Sequence, residues 1–141
     1  MAFPTLVTLA LGSNLGNRES NLKIALNMLS IALGSQPEAV SPILETEAIG
    51  FDGPSFLNQA VRFRTTKSAR TILTICQHIE RQMGRTDAPE YAEDGTRVYH
   101  DRIIDIDILF YGKSKIDTPE LTVPHPQVET RPYIKELLLN L

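Results

Sequence analysis

The sequence predicts an α+β fold, a ferredoxin-like α/β sandwich with helices packed on a largely antiparallel sheet. Three observations lead there. Apolar periodicity alternates between the periods of strand and helix in the order β-α-β-β-α-β. Residues 39–66 carry two strand patterns with no helix between them, which disfavours a doubly wound parallel sheet. The chain has 141 residues, 42% of them hydrophobic and 22% charged, which suits one domain over residues 1–141 with its own core.

Each element has a local reason. Residues 5–11 (TLVTLAL) are β-branched and apolar, end at Gly12, and read as a central first strand. Leu22, Ala25, Leu26, Leu29 and Leu33 then recur at helical spacing, with Asn17 as N-cap and Gly34 as stop. Residues 39–46 (AVSPILET) read as a second strand, where Pro42 demands an edge or a bulge. A turn-rich IGFDGPS precedes the strand in FLNQAVRFRTT. A second helix is expected from about Ser68 to Met83, with Ile72, Cys76, Ile79 and Met83 inward and Gly84 at its end. Residues 86–101 are polar and lack clear periodicity. The strand in DRIIDIDILFYG follows, then a hairpin-like KSKID, the turn-rich LTVPHPQ and a final helix from about Pro132.

Bulk properties exclude some functions. A formal net charge of −3 provides no basic field to recruit nucleic acid or an anionic membrane. The single Cys76 allows no intrachain disulfide, and its neighbours Ile72, Ile75, Ile79 and Met83 mark it as a buried, inert thiol. The opening MAFPTLVTLALGS lacks a basic leader region, and its apolar run is too short to span a bilayer. A cytoplasmic protein is expected, a monomer with a dimer as the alternative.

The chemistry concentrates in residues 101–112. Period 2 assigns Asp101, Ile103, Asp105, Asp107 and Leu109 to one face, and Arg102, Ile104, Ile106, Ile108 and Phe110 to a core face. Asp is a poor strand former, and two on one face repel. Either that face is solvated, or a hard divalent cation neutralises both carboxylates. Mg²⁺ prefers one or two carboxylates together with water and substrate phosphates, so Asp-x-Asp reads as a phosphate–metal site without choosing a reaction.

Other motifs say less by themselves. GSNLGN at 12–17 joins strand to helix but matches neither phosphate-loop nor dinucleotide fingerprints. Gly12 and Gly16 read as turn and cap residues, and Ser13 and Asn14 as side chains that order neighbouring loops. Arg85, Arg97, Arg102 and Arg131 are candidate phosphate clamps. Gln77 and Glu80 share a helical face that reads as solvated. His125, held between two prolines, has no second His nearby for a zinc site but suits a phosphate donor beside a metal.

Together these pieces resemble one family, the 6-hydroxymethyl-7,8-dihydropterin pyrophosphokinases of folate biosynthesis. LALGSNLGNRESNL, FLNQAV, IERQMGR, DRIIDIDILFYG and LTVPHPQVETRPY follow the family's order over nearly the whole chain. The resemblance implies transfer of the β,γ-pyrophosphoryl group of ATP to the pterin hydroxymethyl oxygen, leaving AMP. It implies that Asp105 and Asp107 bind two Mg²⁺ ions that arrive with ATP, and that Arg85, Arg102 and Asp107 act in catalysis, Asp107 as a proton acceptor. Gln77, Arg85, Arg102, Ile108, Thr122 and His125 would contact ATP. Thr46, Ile49, Phe56, Asn58 and Tyr133 would form the pterin pocket, with Phe56 and Tyr133 stacking and Asn58 giving and accepting hydrogen bonds. Segments 47–55 and 86–101 match the family's mobile catalytic loops, with Arg97 and Tyr99 assigned to the second.

The match has departures. Glu47 stands where many members have Pro, Pro126 follows His125 where some have Tyr, and IKELLLNL is short, which points to a trimmed sheet edge. Asp101 is left to an ion pair or a solvated strand end. Two other readings compete. A ferredoxin-like sensor would have no use for paired metal ligands, and a metal-dependent nucleic-acid enzyme would need a basic stripe.

Overall fold

The computed structural model describes residues 3–48, 52–84, 90–91, 97–98 and 102–141. The elements run β1 (Thr5–Ser13), α1 (Arg18–Leu33), β2 (Ala39–Val40), β3 (Leu44–Thr46), β4 (Phe56–Thr65), α2 (Ala69–Gln82), β5 (Glu90–Tyr91), β6 (Arg97–Val98) and β7 (Asp105–Tyr111). They continue with β8 (Ile116–Asp117), β9 (Thr122–Val123), α3 (Gln127–Thr130) and α4 (Pro132–Leu139). The principal sheet has the order β2-β4-β1-β7, with β3 also paired to β4, and every pairing in it is antiparallel. This is the α+β arrangement expected from the sequence. β5 pairs with β6 and β8 with β9 as separate two-stranded units.

The helices start and stop where their caps dictate. Asn17 accepts from the Ser20 amide at the start of α1, and Gly34 ends it in the left-handed region at φ 69°. Ser68 caps α2 by accepting from the Thr71 amide. The apolar stripes of both helices meet one face of the sheet. Leu22, Ala25 and Leu29 of α1 and Ile72, Cys76 and Ile79 of α2 bury against Val7, Leu9, Leu11, Val61, Phe63, Ile104, Ile106 and Ile108. The opposite face carries a smaller cluster of Ala10, Leu109, Val128 and Ile134, contributed by β1, β7, α3 and α4. The final helix, expected from about Pro132 and observed over Pro132–Leu139, therefore covers part of the second face. Among the described residues no helix is long and apolar enough to cross a membrane.

Two strands depart from simple alternation. The strand expected over 39–46 is split into β2 and β3, because Pro42 has no amide to donate. Ser41 bridges the gap: its amide donates to the Ala60 carbonyl at 2.9 Å and its hydroxyl accepts from the Ala60 amide at 2.9 Å. In β7 the pairing passes from Thr8↔Phe110 to Leu9↔Ile108, leaving Leu109 as an extra residue in a bulge. Beyond the bulge the faces exchange. Phe110 joins the second cluster rather than the helical core to which alternation assigned it, and Tyr111 packs on the helical core instead.

Cys76 lies 1% exposed within the helical core, and burial pushes its thiol far above the ordinary range, with the carboxylates of Glu80 and Asp107 adding to the effect. Iodoacetamide at mildly alkaline pH should label Cys76 in denaturant and leave the native protein unmodified. Native labelling at the rate of a free thiol would contradict this burial.

Candidate active site

Register places the functional side chains in rows across the second face. Gly12 of β1 lies opposite Asn58 of β4 on one side and Asp105 of β7 on the other. In the next row Ala10 lies opposite Ala60 and Asp107. Small residues thus occupy the middle of each row, with Asn58 and Asp105 flanking the first and Ala60 and Asp107 the second. Asp105 and Asp107 are both partly buried and share this face, about 7 Å apart by strand rise. Above the rows opens a cavity of about 580 Å³, lined among others by Thr46, Phe56, Asn58, Gln77, Glu80, Arg102, Asp105, Asp107, His125, Arg131 and Tyr133. That size suits a ligand of metabolite dimensions.

One end of the cavity is built by β3, β4 and α4. Asn58 is 6% exposed, and its Nδ2 donates to the Leu44 carbonyl at 3.1 Å and to Thr46 Oγ1 at 2.8 Å. These bonds fix the amide, so Asn58 offers its carbonyl oxygen as an acceptor rather than both functions. Arg18 braces this end from behind, donating to Glu45 Oε2 at 2.7 Å and to the Ser55 carbonyl at 2.9 Å. The Phe56 and Tyr133 rings line the same space. Burial raises the Tyr133 phenol above its usual pKa, with Arg131 opposing, so the hydroxyl stays neutral.

The other end is built by β7, α2 and the His125 turn. His125 Nδ1 accepts from the Gln127 amide at 3.1 Å, which leaves the proton of the neutral ring on Nε2. That nitrogen stands 3.9 Å from Asp107 Oδ1. Burial lowers the His125 pKa, against the opposing pull of Asp105, so the neutral ring with an Nε2–H donor is favoured. Glu80, 6% exposed, accepts from the Ile106 amide at 2.9 Å through Oε2. Its solvated reading is therefore wrong: α2 turns this carboxylate inward to hold β7. Among the described residues no three His, Cys, Asp or Glu converge to hold a metal ion. A cation at Asp105 and Asp107 would complete its shell from water and phosphate oxygens, as Mg²⁺ prefers.

Asn14 joins the two ends. It is 1% exposed; its Nδ2 donates to the Pro54 carbonyl at 3.1 Å and its Oδ1 accepts from the Arg102 amide at 2.6 Å. The Asn14 amide also donates to the Arg102 carbonyl at 2.9 Å. One side chain at the end of β1 thus fixes the entry to β4 and the approach to β7.

The family model for 7,8-dihydro-6-hydroxymethylpterin-pyrophosphokinase (HPPK) matches residues 8–141. The chain belongs to the HPPK family. Among curated relatives, the 2-amino-4-hydroxy-6-hydroxymethyldihydropteridine pyrophosphokinase of Porphyromonas gingivalis is 44% identical over 132 residues, covering 92% of this chain and 86% of the relative. The enzyme of that name from Bacillus subtilis is 35% identical over 127 residues, covering 89% and 71%. A folate synthesis bifunctional protein of Arabidopsis thaliana is 40% identical over 136 residues, covering 96% of this chain and 26% of that longer protein.

Within this HPPK chain, Thr46, Phe56, Asn58, Gln77, Arg102, Asp105, Asp107, His125 and Tyr133 all line one cavity. Ile108 does not: its side chain is 3% exposed in the helical core, so it cannot present that side chain to a ligand in the cavity. Thr122 lies in β9, partly buried and outside the cavity lining. Ile49, Arg85, Tyr99 and Asp101 fall outside the described residues, and of Arg97 only its place in β6 is described. Sequence reasoning underrated Glu80, whose inward face alternates with buried Cys76 and Ile79 on α2. It also misread Gly12, which lies inside β1 rather than in a turn.

Removing the buried Asn14 side chain should cost stability, since the Pro54 carbonyl and the Arg102 backbone amide each lose one hydrogen bond. Asn14→Ala is expected to destabilise by about 1–3 kcal/mol in urea unfolding, and Asn14→Asp, which keeps the acceptor but sets a buried carboxylate oxygen against the Pro54 carbonyl, should not restore that stability. An unchanged midpoint for Asn14→Ala would contradict the bridge.

Proposed function

We propose that the protein carries out the pyrophosphoryl transfer of its family, from ATP to 6-hydroxymethyl-7,8-dihydropterin in folate biosynthesis, using Mg²⁺ held by Asp105 and Asp107. The observation that carries the reading is the two-ended cavity. An amide acceptor and two aromatic rings stand at one end, and a carboxylate pair with His, Arg and Gln at the other. A flat heterocycle with hydrogen-bonding edges fits the first end, and a metal–triphosphate fits the second.

The division of labour follows from the chemistry of the side chains. Asn58 Oδ1 accepts from the N–H edge of the pterin, and Phe56 and Tyr133 hold its faces. Two Mg²⁺ ions, which Asp105 and Asp107 would hold, would neutralise phosphate charge and make the pterin hydroxyl more acidic. Asp105 and Asp107 position that charge, and Arg102 and His125 Nε2–H donate to phosphate oxygens. Holding the hydroxyl in line with the β-phosphorus supplies much of the remaining acceleration through proximity. This reading fits a monomer acting on small cytoplasmic substrates, with no role for nucleic acid or membrane.

The test is a product assay with MgATP and the reduced hydroxymethylpterin. AMP is the expected nucleotide product, and Asp105→Ala and Asp107→Ala should each lower turnover by about 10²–10³-fold, the scale of losing one preorganised electrostatic group. ADP as the product, or full turnover by either variant, would overturn the assignment.

A further inference from the structure

We propose that Gly12 is a specificity-determining residue that sets the depth of the heterocycle slot, an inference that rests on the pyrophosphokinase reading above. Glycine in a strand interior weakens the strand, so its presence at the centre of a five-stranded sheet needs a reason. Backbone conformation is not that reason. Among the described residues, the glycines in the left-handed region are Gly16, Gly34, Gly84 and Gly112, and Gly12 is not one of them.

Space is the better account. A β-carbon built on Gly12 would lie 3.4 Å from Asn58 Oδ1 and 3.6 Å from Phe56 Cδ1. Those two groups are the amide acceptor and one of the aromatic walls assigned to the pterin. Asn58 cannot retreat readily, because its Nδ2 is tied to Leu44 and Thr46. Gly12 also lies between Asn58 and Asp105 in one row of the sheet, two strand spacings or about 9.6 Å from side to side. A ligand anchored on Asn58 and reaching toward the carboxylates must cross bare backbone at this position. A β-carbon at residue 12 would fill part of the slot floor, and any larger side chain would also push the Phe56 ring or the Asn58 oxygen outward, so the slot becomes shallower. The nearest atoms to that β-carbon belong to Asn58, Phe56 and Leu57, not to Asp105, Asp107 or His125, so the pterin end takes the effect first.

The prediction is therefore selective loss of one substrate, graded with side-chain size. In Gly12→Ala the added carbon makes only ordinary contacts, so the fold should be retained. Calorimetry should give wild-type affinity for a non-hydrolysable MgATP analogue, while affinity for hydroxymethyldihydropterin in its presence falls about tenfold. Gly12→Val adds two methyl groups that must displace Phe56 or Asn58, and should weaken pterin binding by roughly a hundredfold or more. The melting temperature, measured on the same samples, reports the fold independently. Retention of pterin affinity within about twofold by Gly12→Val, or parallel loss of both ligands, would overturn the proposal. A wild-type protein that binds MgATP analogue but no pterin would refute the pyrophosphokinase reading and this inference with it. Normal wild-type binding with an unaffected Val variant would refute the inference alone.

Discussion

The arrangement depends on the double pairing of β1. Hydrogen-bonded to β4 on one side and β7 on the other, this strand leaves each side chain in three strands only two directions. Val7, Leu9 and Leu11 point to the helices, so Ala10 and Gly12 must point the other way. The same register brings Asn58 and Asp105 to either side of Gly12. A slip of one residue would send the carboxylates into the helical core, at a desolvation cost that no marginally stable domain could absorb. Stability and site geometry are thus set by one constraint.

Separating the faces lets each meet a different requirement. The helical face buries large aliphatic groups and Phe63 and supplies most of the hydrophobic stabilisation. The second face is covered only partly by α3 and α4, and its remainder holds the cavity. Polar groups there are fixed from behind by other polar groups rather than by packing: Asn58 by Thr46 and Leu44, β7 by Glu80, and Arg102 by Asn14. Such support holds the Asn58 amide and the backbone that carries Arg102, Asp105 and Asp107 in place before any ligand arrives, and transition-state electrostatics depend on such preorganisation.

Features legible in the sequence are those encoded by local pattern. Caps at Asn17 and Gly34 announce themselves through residue type, and the shared face of Asp105 and Asp107 follows from period 2. Motif resemblance supplied the reaction, which the carboxylate pair alone left open. What escaped depends on neighbours distant in sequence. The bulge at Leu109 arises from how β7 registers on β1, and no signal within DRIIDIDILFYG marks it. Pro42 foretold an irregularity but not the Ser41 hydroxyl that spans it. Glu80 looked like one more polar helix residue until the Ile106 amide was placed beside it. Gly12 looked like a turn because its sequence neighbours suggest one, whereas its surroundings come from β4 and β7.

The central claim is that Asp105 and Asp107 form a cation site completed by the nucleotide's phosphates. Calorimetric titration of ATP into the protein, with Mg²⁺ and then with a chelator, tests it most directly. The account predicts binding in Mg²⁺ that disappears in the chelator and is lost in Asp107→Ala even when Mg²⁺ is saturating. Equal affinity for ATP with and without the divalent cation would contradict it.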